Sequence, residues 1–86
     1  MYKIYTKPNC QGCFKAKRLL DSKEIEYQEV RIGVDITKEL LLELLLEMAP
    51  FARSAPLIFL NETYIGGFNE LQDHINRKYQ GNMLLE

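Results

Sequence analysis

The chain has 86 residues, 47% of them hydrophobic, and a formal net charge of −1. This length suits a single domain, 1–86, with a modest core, because so short a chain buries only about 60–65% of the surface that it exposes when unfolded. Acidic and basic residues are mixed along the sequence, which argues against the basic stripe of a nucleic-acid-binding protein.

The sequence begins without a signal-peptide pattern, and no apolar run approaches the roughly 18 residues of a membrane span. We therefore expect a soluble, cytoplasmic monomer that binds neither nucleic acid nor membrane. Its two cysteines are too few for a disulfide scaffold. In a reducing compartment a single C-x-x-C pair is more often catalytic or metal-binding than structural.

The first elements are a predicted strand and helix. Tyr2–Thr6 is aromatic and β-branched, which is typical of a strand. Pro8 cannot continue the hydrogen-bond ladder, and Asn9 is a suitable N-cap for a helix that starts at Cys10 and runs to about Ser22.

A second strand is predicted within Ile25–Ile32, where apolar and polar residues alternate. The phase slips at Gln28–Glu29, so the strand is bulged or starts late, and its first and last apolar residues fall on opposite faces. The helix between the two strands makes a βαβ unit with parallel strands and a right-handed crossover.

The second predicted helix starts from a Thr37 cap and runs to about Met48. Glu39, Glu43 and Glu47 form one polar stripe, and leucines cover most of the remaining circumference. We interpret these leucines as core residues; the alternative is a partner-docking or coiled-coil surface.

The second half of the chain predicts a hairpin followed by a helix. The segments are a strand over Ala55–Leu60, a turn at Asn61–Glu62, a strand over Thr63–Ile65 and a helix from about Phe68 to Tyr79. Gly81 is expected to end this helix and leave 81–86 as a loose tail. The order of elements is therefore βαβ-α-ββα.

The cysteine pair carries the chemistry. Cys10 and Cys13 lie one helical turn apart, close enough for a disulfide. Cys10 is at a helix N-terminus, where free N–H groups favour the thiolate, and Lys7 adds a nearby cation. Cys13, one turn inside, should be farther from solvent. We therefore predict that Cys10 attacks a substrate disulfide and that Cys13 resolves the mixed disulfide.

A zinc site is the alternative for the pair, with His74 as a third ligand. Structural zinc sites normally combine two pairs of ligands, and this chain offers one C-x-x-C pair. His74 falls in the middle of a predicted helix among polar residues, where a surface histidine is expected. No metal cofactor is therefore predicted.

Three separated motifs resemble the glutaredoxins of the dithiol class: Thr6–Cys13, Ser54–Pro56 and Gly66–Asn69. The resemblance implies an α/β, thioredoxin-like (glutaredoxin) fold, in which a four-stranded mixed sheet is flanked by three α-helices. It also implies a redox-active enzyme that uses glutathione as reducing co-substrate to reduce protein disulfides and glutathione mixed disulfides. Ribonucleotide reductase is one client class that the resemblance suggests.

The resemblance further implies a glutathione groove. Pro56 is expected to be cis, with the Ala55 backbone pairing with the cysteinyl part of glutathione. The γ-glutamyl and glycyl carboxylates would bind at the two ends of the groove, so that the implied set of residues is Lys7, Gly12, Arg53, Ala55, Pro56, Gly67, Phe68 and Asn69. The structural alternatives are a proline that starts a strand, a plain turn with an Asn cap and a solvated lysine.

The chain departs from the family pattern at two places, and both should weaken glutathione binding. Gln11–Gly12 replaces the usual Pro-Tyr, which removes an aromatic wall, and Asn69 replaces an aspartate. Alternatives therefore stay open: a glutaredoxin-like redoxin reduced by thioredoxin reductase, a [2Fe-2S] cluster carrier and an inert adaptor that docks through its leucine-rich helix.

Overall fold

The computed structural model describes residues 1–52 and 54–84, and its elements follow the predicted order. The strands are β1 (Tyr2–Thr6), β2 (Tyr27–Arg31), β3 (Leu57–Leu60) and β4 (Thr63–Gly66). The helices are α1 (Gln11–Ser22), α2 (Lys38–Met48) and α3 (Phe68–Leu84).

The four strands form one mixed sheet in the order β2-β1-β3-β4. β1 runs parallel to β2 and antiparallel to β3, and β4 completes a hairpin with β3. In this register Ile4 of β1 lies opposite Glu29 of β2 and Ile58 of β3. The mixed four-stranded sheet and the parallel βαβ unit are thus confirmed.

Two hydrophobic clusters sandwich the sheet. One joins β1 to α1 and α3 through Tyr2, Ile4, Ala16, Leu20, Ile58, Leu71 and Ile75. The other joins β1 and β3 to α2 through Tyr5, Leu41, Leu45, Ala49, Leu57 and Phe59. Burial of each large aliphatic or aromatic side chain contributes roughly 1.5–3 kcal/mol. β1 contributes Tyr2 and Ile4 to one cluster and Tyr5 to the other, so both faces of the strand that leads to Cys10 are packed.

β2 starts later than Ile25, and the predicted phase slip at Gln28–Glu29 lies inside it, where the pairing with β1 is regular. Ile25 precedes the strand and packs with Tyr27 against the α1/α3 cluster, whereas Val30 and Ile32 pack against the α2 cluster. β3 also starts later than predicted, at Leu57, because Pro56 has no N–H to donate to a ladder.

Helix α2 buries less of its surface than the sequence interpretation implied. Leu41 and Leu45 face the sheet, but Leu40, Leu42 and Leu46 are exposed. One helix packed on one sheet can bury only a single stripe, so the remaining leucines face solvent. Within residues 1–52 and 54–84, no helix is long and apolar enough to cross a membrane.

Helix α3 does not end at Gly81, as the sequence predicted, but continues to Leu84. A glycine inside a helix costs only about 1 kcal/mol relative to alanine, so it favours a helix end without enforcing one. Residues 81–84, which the sequence assigned to a loose tail, are thus part of α3, and the last two residues lie outside the described part of the chain.

A polar network ties three elements together beside the end of β1. The Glu29 carboxylate on β2 accepts hydrogen bonds from the Thr6 hydroxyl at 2.8 Å and from the Lys17 ammonium of α1 at 3.1 Å. These two partners lower the pKa of Glu29, with the Thr6 hydrogen bond as the larger cause. The network fixes the N-terminal half of α1 relative to β1 and β2.

We expect Glu29→Gln to lower stability near neutral pH and to have less effect in acid. The pKa of Glu29 is lower in the folded than in the unfolded chain, so its ionised form stabilises the protein above the unfolded pKa. That contribution disappears as the pH falls through the folded pKa. Urea unfolding of both proteins at a series of pH values measures the difference.

The matched control is Asp73→Asn, which breaks the exposed Asp73–Arg77 pair on α3. This change should alter the free energy of unfolding by less than about 1 kcal/mol at neutral pH. A difference between the wild type and Glu29→Gln that stays constant from neutral to acidic pH would contradict the role given to the Glu29 carboxylate.

Candidate active site

Cys10 itself is the N-cap of α1. Its backbone is extended (φ −116°, ψ 104°), and its Sγ accepts a hydrogen bond from the Cys13 N–H at 3.1 Å. The sequence predicted Asn9 as the cap, which is wrong by one residue: Asn9 adopts a left-handed conformation with φ 55°, which asparagine tolerates. The sulfur of Cys10 thus takes the place that a capping oxygen normally occupies.

The two cysteines are joined by a disulfide, with their Cα atoms 5.2 Å apart. Cys13 is buried, with 3% of its surface exposed, while Cys10 is half-buried at the surface. The predicted inequality in solvent access is therefore confirmed. When the disulfide is reduced, the N–H groups at the helix start favour the thiolate of Cys10.

A cleft of about 530 Å³ opens beside the dithiol, and we call it the dithiol cleft. Its lining residues are Thr6, Lys7, Asn9, Cys10, Gln11, Cys13, Phe14, Lys17 and Glu29. Lys7 is exposed at the edge of this cleft. The predicted lysine and the dithiol therefore share one surface depression.

A second depression of about 590 Å³, the proline cleft, lies beside Pro56. Its lining residues are Phe51, Ala52, Ser54, Ala55, Pro56, Tyr64, Ile65, Gly66, Gly67 and Glu70. The Ala55–Pro56 peptide bond is cis, as predicted. Phe51 is exposed at the rim, with its ring 5.8 Å from that of Tyr64, and burial raises the pKa of Tyr64, with a further contribution from the charge of Glu70.

Gly12 is the residue at which α1 comes closest to the Pro56 ring. A Cβ on Gly12 would lie 3.0 Å from Cδ of Pro56, closer than most Cβ contacts in proteins. In the sequence interpretation, Gly12 removes an aromatic wall from the groove. The structure adds that the missing side chain lets the Pro56 ring approach the helix backbone next to the cysteines.

The start of α3 is organised by Glu70. Its Oε1 accepts a hydrogen bond from the Gly67 N–H at 2.8 Å, and the first helical bond runs from the Leu71 N–H to the Gly67 carbonyl. Gly66 has φ 134°, and a Cβ there would lie 2.7 Å from the Glu70 side chain, so only glycine fits. The predicted alternative of an Asn cap does not hold, because Glu70 supplies the capping bond. The spacing of glutamate three residues after the cap was the signal that could have revealed it.

The remaining predicted groove residues differ in their placement. Phe68 is half-buried against the α1/α3 cluster, and the Lys15 ammonium lies 5.9 Å from its ring centroid. Asn69 is exposed in the first turn of α3. Arg53 lies outside the described residues.

His74 is separate from the dithiol. Its Nε2 lies 3.1 Å from the Tyr2 hydroxyl, at the start of β1, and it lines a different surface depression from the cysteines. In the part of the chain that the structure describes, no group of three or more His, Cys, Asp or Glu side chains is arranged to hold a metal ion.

Sequence reasoning missed Lys17, Glu29 and Thr6 as neighbours of the dithiol. Lys17 and Glu29 are 12 residues apart in the chain, and only the β1–β2 register and the packing of α1 bring them together. The available signal was Glu29, a charged residue inside a predicted strand, because its ion-pair partner would have to come from another element.

Comparisons with known proteins agree with this geometry. A family model described as Glutaredoxin matches residues 3–65. The chain is 38% identical to a glutaredoxin of Neisseria meningitidis over 68 residues, which cover 79% of this chain and 76% of that one.

Two solved structures share the fold. Glutaredoxin 1 of Francisella tularensis, complexed with cacodylate, has a TM-score of 0.71 and 26% identity, with 92% of this chain and 95% of that chain covered. A buckwheat glutaredoxin–glutathione complex has a TM-score of 0.73 and 22% identity, with coverage of 98% and 76%. Given its matching sequence, thioredoxin-like fold and Cys10–Cys13 pair at the start of α1, the chain belongs to the glutaredoxin family and is a thiol–disulfide oxidoreductase.

Proposed function

We propose that the protein reduces protein disulfides and glutathione mixed disulfides with electrons from glutathione. The observation that carries this proposal is the close approach of Gly12 to Pro56, which brings a residue of the proline cleft against the backbone between the two cysteines. Glutathione is a short peptide with a carboxylate at each end, so an elongated site with a binding group at each end suits it.

The two ends of this surface have the required chemistry. Lys7 offers an ammonium group at the dithiol cleft. At the other end, the N–H groups of Phe68 and Asn69 precede the first helical bond of α3, and such groups bind carboxylates. The buckwheat relative of the same fold was solved as a glutathione complex, which supports the same ligand here.

The reaction balances through the two cysteines. The Cys10 thiolate attacks one sulfur of a substrate disulfide, a mixed disulfide forms, and the other substrate sulfur leaves as a thiolate that takes up a proton. The Cys13 thiolate then attacks Cys10, which releases the second substrate thiol and leaves the Cys10–Cys13 disulfide. Two glutathione molecules return two electrons and two protons, and glutathione disulfide is the product.

We expect Cys10→Ser to abolish all transfer and Cys13→Ser to keep the reduction of glutathione mixed disulfides while losing that of protein disulfides. Cys10 is the accessible sulfur at the helix start, and Cys13 is buried one turn inside. Turnover assays on one substrate of each kind measure both activities. The reverse pattern, with Cys10→Ser active and Cys13→Ser inactive, would reverse the assignment of roles.

The electron donor is tested by comparing two supply systems, glutathione with glutathione reductase and thioredoxin reductase alone. We expect glutathione to support the faster turnover. Lys7→Gln should raise the KM for glutathione about two- to fivefold, as expected for one exposed ion pair. Lys38→Gln, on the opposite side of the sheet, is the control and should keep the wild-type KM.

Faster turnover with thioredoxin reductase would replace this proposal with that of a glutaredoxin-like redoxin, which remained an alternative from the sequence. Oxidised ribonucleotide reductase is tested in the same assay as one candidate client protein. An iron–sulfur absorption band after anaerobic purification with glutathione would favour the cluster carrier instead.

A further inference from the structure

Phe14 and Arg18 on α1 lead away from the dithiol, and Lys7 lies in the loop before this helix; we call these three side chains the α1 strip. Phe14 has 57% of its surface exposed, although phenylalanine is among the residues most often buried. The Arg18 guanidinium carbon lies 5.6 Å from the centroid of the Phe14 ring. Lys7 and Phe14 both line the dithiol cleft, so the strip is continuous with Cys10.

The strip is positively charged. Lys17, the neighbouring cation in the cleft, is neutralised by Glu29 at 3.1 Å. By contrast, neither Lys7 nor Arg18 has an ion-pair partner among the described residues. Two positive charges therefore flank an exposed aromatic ring on a chain whose net charge is −1.

The opposite side of the protein has the opposite charge. Helix α2, on the other face of the sheet, carries the exposed Glu39, Glu43 and Glu47. A partner with carboxylates near its disulfide would be attracted to the α1 side and repelled from the α2 side. Such a charge distribution favours productive encounter with an acidic partner.

We propose that the α1 strip binds the segment that flanks the disulfide of an acidic client protein. Helical rise places Phe14 about 6 Å and Arg18 about 12 Å along α1 from Cys10. An extended chain advances about 3.3 Å per residue, so these distances correspond to roughly two and four residues from the attacked cysteine. The preferred client segment has an apolar residue at the second position and a carboxylate at the fourth. This proposal rests on the protein-disulfide reduction proposed above.

The test uses pre-reduced protein and disulfide-linked homodimers of a short peptide with one central cysteine. Both halves are identical, so attack on either sulfur is equivalent. Three peptides carry Glu, Gln or Lys at the fourth position on both sides of the cysteine, with fluorophores that report separation of the halves. The second-order rate constant is measured in single turnover, without glutathione.

We expect the wild type to reduce the Glu peptide about three- to tenfold faster than the Lys peptide at low salt, with the difference shrinking at high salt. Arg18→Glu should reverse this order, and Arg18→Gln should bring the two rates together. Lys38→Glu, the matched charge reversal on α2, should keep the wild-type preference. With Leu or Ser at the second position, Phe14→Ala should remove the advantage of Leu.

Equal rates for the three peptides with the wild type would overturn the docking inference and leave the proposed function intact. An unchanged preference in Arg18→Glu would do the same. Failure of the wild type to reduce even the Gln peptide would instead count against protein-disulfide reduction itself, so the two failures are distinguishable. Circular dichroism of each variant confirms that α1 is still formed.

Discussion

The hydrogen bond from the Cys13 N–H to Cys10 Sγ is the contact on which the site depends. It makes the reactive sulfur part of the helix cap, so the beginning of α1 and the position of the nucleophile are the same structural feature. One of the N–H groups that every helix leaves free at its start, that of Cys13, here donates to sulfur rather than to a side-chain oxygen. Thiolate stabilisation therefore follows from ordinary helix geometry.

That cap is useful only because β1 holds it in place. β1 is one of the two inner strands, with a parallel neighbour on one side and an antiparallel neighbour on the other, and both of its faces are packed. The strand ends at Thr6, whose hydroxyl binds Glu29, which in turn binds Lys17 of α1. The chain between Thr6 and Cys10 is thus anchored at both ends, by the sheet and by the helix.

The two faces of the sheet are covered by different helices and carry different side chains. The α1/α3 side carries the dithiol, the cationic Lys15, Lys17 and Arg18 of α1, and the N-termini of α1 and α3. The α2 side carries the acidic stripe and three exposed leucines that the sheet has no surface left to cover. Gly12 and Gly66 serve the first side: one admits the Pro56 ring, and the other admits the Glu70 side chain. Close approach explains Gly12, whereas Gly66 is explained by close approach together with its positive φ of 134°.

Local patterns in the sequence determined the order of elements, the change of apolar face within β2, the Thr37 cap and the pairing of Cys10 with Cys13. Each of these depends on residues within a few positions of one another, so propensity and spacing suffice. The N-cap is Cys10 rather than the predicted Asn9. Which of these two neighbouring residues caps the helix depends on their backbone conformations, and the sequence does not specify those. Contacts between distant segments were decided only by the tertiary structure: Glu29 with Lys17, Gly12 with Pro56, and the single buried stripe of α2. They depend on strand register and helix packing, which arise when the whole sheet forms, and no local pattern in the chain encodes them.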